Sequence, residues 1–579
     1  MASGVHAPAP SVLAEAPERE AWWVDLAILV GLGALIAGVV ALAHRWTAPL
    51  RPTVDIDLSL SSLPKYTLFS LSRGIVAYVL SLAFTLAYGT VAAHHRIAER
   101  VMIPILDILQ GIPVLGFLPG LVLGMVALFP HSNVGLELAC IVMIFTGQVW
   151  NMTFSFYGSL RAIPAELNEA ALVYGFGWWK RFATLEVPSA MMGLVWNSMM
   201  SMAGGWFFLS VTEAFSLGSH DFRLPGIGAY MSVAIDHGDW RAMIGAVVAM
   251  IVMIVAVDQL IWRPALAWAQ KFKLEETEAA DVPRSWVLEL LRRSHVLPWL
   301  ETRTGRLFAG WRRRSASAPV TRAGTSRVRV AIRLLGAACG LGFVVLAARG
   351  FIHLVTLLAA VRRAEWLRLV GELGLTFLRV YGALGLGALW TVPVGIWIGL
   401  SPRRMRVMQP IIQVAAAFPA PMIFPLVTLA ILAAGVSFSW GCTALMLLGS
   451  QWYILFNVLA GAGAMPHELR EVAAVCGLGR WARWRTLYLP AVFPSLVTGL
   501  VTAAGGAWNT SIVAEYVRYR QETLIAPGLG SLITTSTAAA NFPLLAAGVM
   551  TMAVTIVLVN RTFWRRVYRF ADERFSLNR

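Results

Sequence analysis

Twelve stretches of this chain are apolar for about 20 residues or longer, and no other feature limits its fold as severely. A run of that length in helical form crosses the hydrocarbon core of a bilayer. The runs lie near 22–44, 66–93, 101–129, 134–157, 190–212 and 242–263, then near 330–349, 373–399, 407–434, 436–460, 491–514 and 542–562. In lipid each backbone N–H and C=O must be satisfied internally, so such runs become helices. Composition agrees, with 58% hydrophobic and 13% charged residues and a mean hydropathy of +0.68. Soluble domains carry about twice that share of charge. An ordinary soluble enzyme and a disordered chain are both excluded. The expected fold class is all-α: a polytopic membrane protein of about twelve transmembrane helices in two tandem groups of six.

A net charge of +16 would suggest nucleic acid if it formed a patch. Here it follows topology. With the N-terminus inside, the interior segments receive most of the 47 Lys and Arg residues, as the positive-inside rule requires. The expected organisation is a disordered tail over 1–21, a first six-helix repeat over 22–263, and a basic cytoplasmic linker over 264–329. A second repeat over 330–563 and a basic cytoplasmic tail over 564–579 follow. Residues 286–311 of the linker set Trp and Leu among arginines, a composition suited to helix lying on anionic lipid. Residues 1–21 lack a basic n-region and do not read as a signal peptide. Cys140, Cys339, Cys442 and Cys476 form no CxxC pair, which argues against a disulfide framework or a zinc site.

The two groups of helices are copies of one another. Arg73, Pro104, Pro113 and Pro119 recur 306 residues later as Arg379, Pro410, Pro419 and Pro425. After a four-residue deletion the offset becomes 302. It then joins Trp150 to Trp452, Pro164 to Pro466, Glu169 to Glu471, Gly175 to Gly477, Pro188 to Pro490 and Glu213 to Glu515. It also joins PGIG at 225–228 to PGLG at 527–530. Six spans per copy make the repeats parallel, related by an axis along the membrane normal, with a pathway expected at their interface.

Each repeat has one long interior loop between its fourth and fifth spans. Both loops read as helix, Gly turn, helix, then a proline that returns the chain to the membrane. Ala-rich residues 165–174 favour helix, and Gly175 and Gly477 suit the left-handed residue that ends one. A single copy would read equally well as a loop resting on the headgroups. Two copies share one spacing: Glu169, Ala170, Ala171, Gly175, Leu185, Val187 and Pro188 in the first, and Glu471, Ala473, Gly477, Leu487, Leu489 and Pro490 in the second. This pattern resembles the EAA loop of bacterial ABC importer permeases. Val472 departs from the usual Ala, and Leu185 and Leu487 from the usual Ile. The stretch IPILDILQGIPVLGFLP is similar to the third span of the nitrate, taurine and sulfonate branch.

The resemblance implies a type I importer fold with both permease halves fused in one chain, one copy per transporter, in a bacterial cytoplasmic membrane. It implies two ABC ATPase subunits, identical or different, docked on the EAA loops, and a soluble substrate-binding protein outside. The solute would be a small anion such as nitrate, a sulfonate, taurine or bicarbonate, or else an amino acid or osmoprotectant. ATP and Mg would sit on the ATPase partner, with no cofactor, metal or catalytic residue in this chain. One implication is visible directly: no GxxxxGK[ST] phosphate loop occurs. An ion-coupled secondary transporter, the reading from another class, gives no reason for two matched loops.

Candidate pathway residues are the small and polar positions at helical spacing in the fifth spans. They are Asn197, Ser201, Gly204 and Gly205 in the first repeat, and Thr498, Thr502, Gly505 and Asn509 in the second. Close helix packing is the competing explanation. Asp107 and Gln110 share a face of the third span, and the counterpart of Asp107 is Gln413. A membrane carboxylate is costly and usually functional, unless it sits at the interior mouth. Glu213 and Glu515 at the outer ends of the fifth spans read as a gate, a binding-protein contact or solvated groups. Arg73 and Arg379 read as snorkelling to the headgroups or attracting an anion. Asp236, His237 and Asp239 superficially resemble metal ligands, but their repeat counterpart is AAANF.

Overall fold

The computed structural model describes residues 54–217, 220–272, 286–292, 342, 345, 348–519 and 522–575. The chain forms two units: Ala41–Ala256 with His353–Arg579, and Met1–Val40 with Val257–Ile352. In the second unit, Arg263 donates to Asp258 at 3.0 Å and Trp286, which opens a short helix to Arg292, donates to Gln259 at 3.2 Å. The expected spans at 22–44 and most of 330–349, the tail over 1–21, and most of the linker lie outside the described residues.

The first unit contains both repeats, element for element. The first runs α1 (Leu63–His94), α2 (Arg96–Gly111), α3 (Leu118–Leu128), α4 (Val134–Arg161) and α5 (Ala165–Val173). It continues through α6 (Val187–Thr212), strands β1 (Ala214–Leu217) and β2 (His220–Arg223), α7 (Ile227–His237) and α8 (Trp240–Val257). The second runs α9 (Arg363–Gly399), α10 (Pro402–Ala417), α11 (Phe424–Ala433), α12 (Phe438–Gly463) and α13 (His467–Val475). It continues through α14 (Leu489–Ala514), β3 (Tyr516–Tyr519), β4 (Glu522–Ile525), α15 (Leu529–Ala538) and α16 (Phe542–Val559), and ends with α17 (Arg565–Phe575).

Among the described residues, seven helices are long and apolar enough to span, or nine when two bent pairs are each taken as one span. Helix α6, at 26 residues, is long enough but more polar. The bent pairs correct an expectation. Spans at 101–129 and 407–434 were expected as single proline-containing helices, but each breaks, by 85° between α2 and the helical stretch from Val114 to Leu128, and by 78° at its counterpart. Pro113 and Pro419 are the cause. The residue before proline is pushed out of the α region, and Ile112 and Phe418 have ψ of 130° and 127°. A short 3₁₀ turn restarts each chain in a new direction.

Within each repeat the second, fourth and fifth spans pack as a three-helix core: α1, α4 and α6, then α9, α12 and α14. Helix α1 buries Tyr66, Phe69, Ser70, Arg73, Ala77 and Ser81. That spacing of three and four residues is one helical face. Close approach depends on glycine at Gly74, where a Cβ would stand 2.6 Å from the Trp206 ring. Met152, Phe156, Ala190 and Leu194 fill the same core.

The all-α expectation gains two short antiparallel hairpins, β1–β2 and β3–β4, each beyond the end of a fifth span. Across the repeats, Arg518 on β3 lies 3.5 Å from Asp236 on α7. The hairpin ends therefore meet, and α5 and α13 each lie at the opposite end of their fifth span, 26 residues or roughly 39 Å of helix away. The repeats are parallel, as their span count predicts. Within the stretch expected as a basic tail, α17 packs on α14, with Phe570 and Phe575 edge-on to Phe493.

Candidate functional site

The two EAA loops are built alike. Helix α5 ends at Gly175, whose φ of +63° lies in the left-handed region, and α13 ends at Gly477 with φ of +64°. In the first loop the Gly175 N–H donates to Leu172 O at 3.0 Å and the Phe176 N–H to Ala171 O at 2.8 Å. The second repeats the pair, from Gly477 to Ala474 O at 3.1 Å and Leu478 to Ala473 O at 3.2 Å. These are the two bonds of a Schellman stop. A short helix follows, then a π turn that merges into the fifth span at Pro188 or Pro490. Proline has no N–H to donate to the preceding turn, which accounts for the wider winding there.

Burial explains the departure at Val472. The second Ala of the motif is buried in both loops, Ala171 and Ala473, whereas Val472 points outward and is 58% exposed. A larger side chain fits at the outward position. Glu169 and Glu471 are exposed, Ala170 is half-buried, and Leu172, Val173, Tyr174 and Val475 present apolar surface on the same helices. The loops differ in their ties. Glu186, buried after the first loop, lies 2.9 Å from Arg181 and 2.9 Å from His94 at the end of α1. The position equivalent to Glu186 is Tyr488, and there Arg470 donates to Leu400 O at 2.9 Å instead.

At the hairpin end, Arg73 and Arg379 neither snorkel nor face an open path. Arg73 is fully buried, donates from Nε and Nη2 to Glu137 at 2.6 and 2.8 Å, and from Nη1 to Glu213 at 2.7 Å. Arg379 donates to Glu515 at 2.8 Å. Each arginine also donates to the carbonyl of the Pro in PGIG or PGLG, at 2.9 and 2.7 Å. Each glutamate accepts from the first turn of the following helix, at Gly228 and Gly530, where acceptors fit the unpaired N–H groups. The hydroxyl of Ser70 or Thr376 completes the cluster, donating to the Glu and accepting from Ile227 or Leu529. Gly226 and Gly528 are required, because a Cβ at either would collide with the glutamate carboxylate. Glu213 and Glu515 are therefore neither solvated nor placed for contact with a soluble protein. Lipid cannot solvate a lone charge, so each charge is paired.

Between the repeats lies a cavity of about 230 Å³. Asp107, Gln110 and Val114 line it from α2 and the break after it, and Gly147, Trp150 and Asn151 from α4. Gly204 and Phe207 come from α6, and Gly449, Trp452 and Tyr453 from α12. Thr502, Gly505 and Asn509 come from α14, with Asn560 below α16. Of the expected pathway residues, Asp107, Gln110, Gly204, Thr502, Gly505 and Asn509 are brought together here. The other four are used in packing. Asn197 donates to Ser155 Oγ at 2.9 Å, Ser201 is buried, Gly205 lies against Gln148, and Thr498 donates to Pro494 O at 3.2 Å.

Asn509 also carries a contact across the repeats: its Oδ1 accepts from the Val114 N–H at 2.8 Å. That N–H follows Pro113 at the break, so an α14 side chain holds the kink of the opposite repeat. Gln413 makes a second crossing, to Met199 Sδ at 2.6 Å. The aromatic wall was missed from sequence, although the matched pair Trp150 and Trp452 was its signal. The expected metal-like segment is a turn between helices. Asp236 pairs with Arg223 at 3.3 Å and Arg518, Gly238 takes a φ of +65°, and Asp239 Oδ1 accepts from Arg241 at 3.0 Å.

Comparison with known proteins gives the same two copies. The family model "Binding-protein-dependent transport system inner membrane component" matches twice, over 82–261 and 391–576. The chain is 30% identical over 131 residues to the nitrate import permease protein NrtB of Leptolyngbya laminosa, covering 22% of this chain and 45% of that one. It is 25% identical over 191 residues to the taurine transport system permease protein TauC of Escherichia coli K12, covering 32% and 65%. It is 30% identical over 142 residues to the bicarbonate transport system permease protein CmpB of Synechococcus elongatus, covering 24% and 49%. In each case the match spans less than two thirds of the relative.

Proposed function

The chain belongs to the inner-membrane component family of binding-protein-dependent transport systems, and from that premise we propose that it supplies both permease halves of one ATP-driven importer. One observation carries the proposal: two like-built EAA helices at one end of the bundle, with a cavity between the repeats walled by both. Each EAA helix would seat in a separate ATPase subunit, with its exposed apolar residues forming the contact. Closure of the two ATPases on ATP and Mg would then move α5 and α13 and, through the continuous turns at Pro188 and Pro490, the fifth spans that line the cavity. A soluble binding protein would deliver solute at the hairpin end, with both chain termini and the linker on the ATPase side. This chain would bind no cofactor and perform no catalysis.

For the solute, the nitrate, taurine and bicarbonate permeases among its relatives support a small anion. A second reading, an amino acid or osmoprotectant, is favoured by the cavity itself, where Asp107 contributes a carboxylate. The test is purification of the tagged full chain from its native membrane in mild detergent, followed by native mass measurement. The expected complex contains one copy of the chain and two ATPase subunits. A chain that retains no ATPase even after gentle cross-linking would refute the proposal.

A further inference from the structure

The cavity has the wrong chemistry for a bare anion. Among the described residues no lysine, arginine or histidine lines it, and Asp107 is its one carboxylate. The two membrane arginines that might have served an anion, Arg73 and Arg379, are spent on buried glutamates at the hairpin end. Asp107 is exposed and lines the cavity, and a carboxylate there repels an anion. The same carboxylate attracts a protonated amine or a quaternary ammonium, and ring faces add to that attraction. Trp150, Trp452, Tyr453 and Phe207 supply such rings. The charge is one-sided, because the counterpart of Asp107 is Gln413, which is turned to Met199 and does not line the cavity.

We propose that Asp107 is the specificity-determining residue of the pathway and makes the cavity select solutes that carry a positively charged nitrogen. This rests on the pathway reading above and narrows it. An oxyanion would pass only as the far end of such a molecule, held by the neutral amides of Gln110, Asn151 and Asn560. The one-sided carboxylate would orient a zwitterion, with its nitrogen toward the first repeat.

The test reads the electrostatics of the cavity directly. Gly505→Cys places a thiol on the wall, at a position where an added Cβ meets nothing within 4 Å. It is made in the full chain with Cys140, Cys339, Cys442 and Cys476 replaced by Ser, purified as a monodisperse species. The probes are a trimethylammonium-ethyl and a sulfonate-ethyl methanethiosulfonate, and the readout is the ratio of their rates divided by the same ratio for a free small thiol. The expected normalised ratio is about tenfold or more in favour of the cationic probe. It should fall close to one in Asp107→Asn and be retained in Asp107→Glu. Thr502→Cys, also on the wall, should give the same pattern and guards against a local effect at Gly505. A normalised ratio at or below one with Asp107 present, or a ratio that Asp107→Asn leaves unchanged, would overturn the proposal. Either result would leave the importer reading standing, since ATPase co-purification does not depend on Asp107.

Discussion

The clamps at the hairpin end and the walls of the cavity are products of the same duplication, yet they have diverged to very different degrees. The clamps are near copies: Arg73 and Arg379, Glu213 and Glu515, Ser70 and Thr376, PGIG and PGLG, with matching bonds. The cavity keeps the positions and changes the chemistry. Gly147 and Trp150 match Gly449 and Trp452, but Tyr453 is the counterpart of Asn151, Asn509 of Phe207, and Gln413 of Asp107. A buried charge tolerates no substitute without its partner, so both copies of the clamp keep the Arg–Glu pair, while Glu137, which also pairs with Arg73, has Ser439 at the equivalent position. A wall facing a solute has no such internal constraint, and a single-chain permease can make its two sides different. A pair of identical subunits could not.

The clamps give the largest expected effects. Arg73→Ala strands Glu137 and Glu213 without their cation and should cost about 3–5 kcal/mol, the usual result of breaking a buried pair. Arg379→Ala strands Glu515 alone among the described carboxylates and should cost less. Thermal unfolding in detergent measures both. Unfolding unchanged by both variants would break the contrast between clamp and wall. Next come the EAA glycines. Gly175→Val and Gly477→Val force a β-branched residue to positive φ, at a local cost of about 1–3 kcal/mol. The protein should still insert, while transport separates from ATP hydrolysis in the assembled importer. Normal uptake by both variants would remove the coupling role of these loops. A smaller effect is expected on the wall: Asn509→Ala removes the acceptor of the Val114 N–H, at about 1 kcal/mol. The smallest is Glu186→Gln, which weakens a tie that only the first loop has. It should cost under about 1 kcal/mol, and Tyr488→Phe at the equivalent position should cost nothing measurable in the same melting assay.

Much of this was legible in the sequence. Prolines and glycines kept the register of the repeat because backbone conformation restricts them more than packing does. That is why the EAA turns at Gly175 and Gly477 and the matched PGxG segments stood out. The breaks at Pro113 and Pro419 were read as straight spans, since a proline inside a membrane helix kinks, breaks or is absorbed according to its neighbours. The clamp was hidden because pairing between Arg73 and Glu213, 140 residues apart, leaves no periodic trace. Both residues were seen to recur, however, and joint recurrence of opposite charges near one membrane face was the available signal. Asn197, Ser201, Gly205 and Thr498 were grouped with true wall residues because a stripe of small polar residues serves packing and lining alike. Only neighbouring helices decide between the two.

In the proposed function one chain closes one pathway with its own two halves. The most direct measurement is disulfide trapping of Val114→Cys with Asn509→Cys, the pair joined across the repeats by a 2.8 Å hydrogen bond, in a background without native cysteines and with a protease site inserted within 264–329. Oxidation followed by cleavage should leave the two halves covalently joined at the mass of a single chain, and should arrest uptake until reductant is added. Halves that separate after cleavage, or a covalent dimer of two chains, would contradict it.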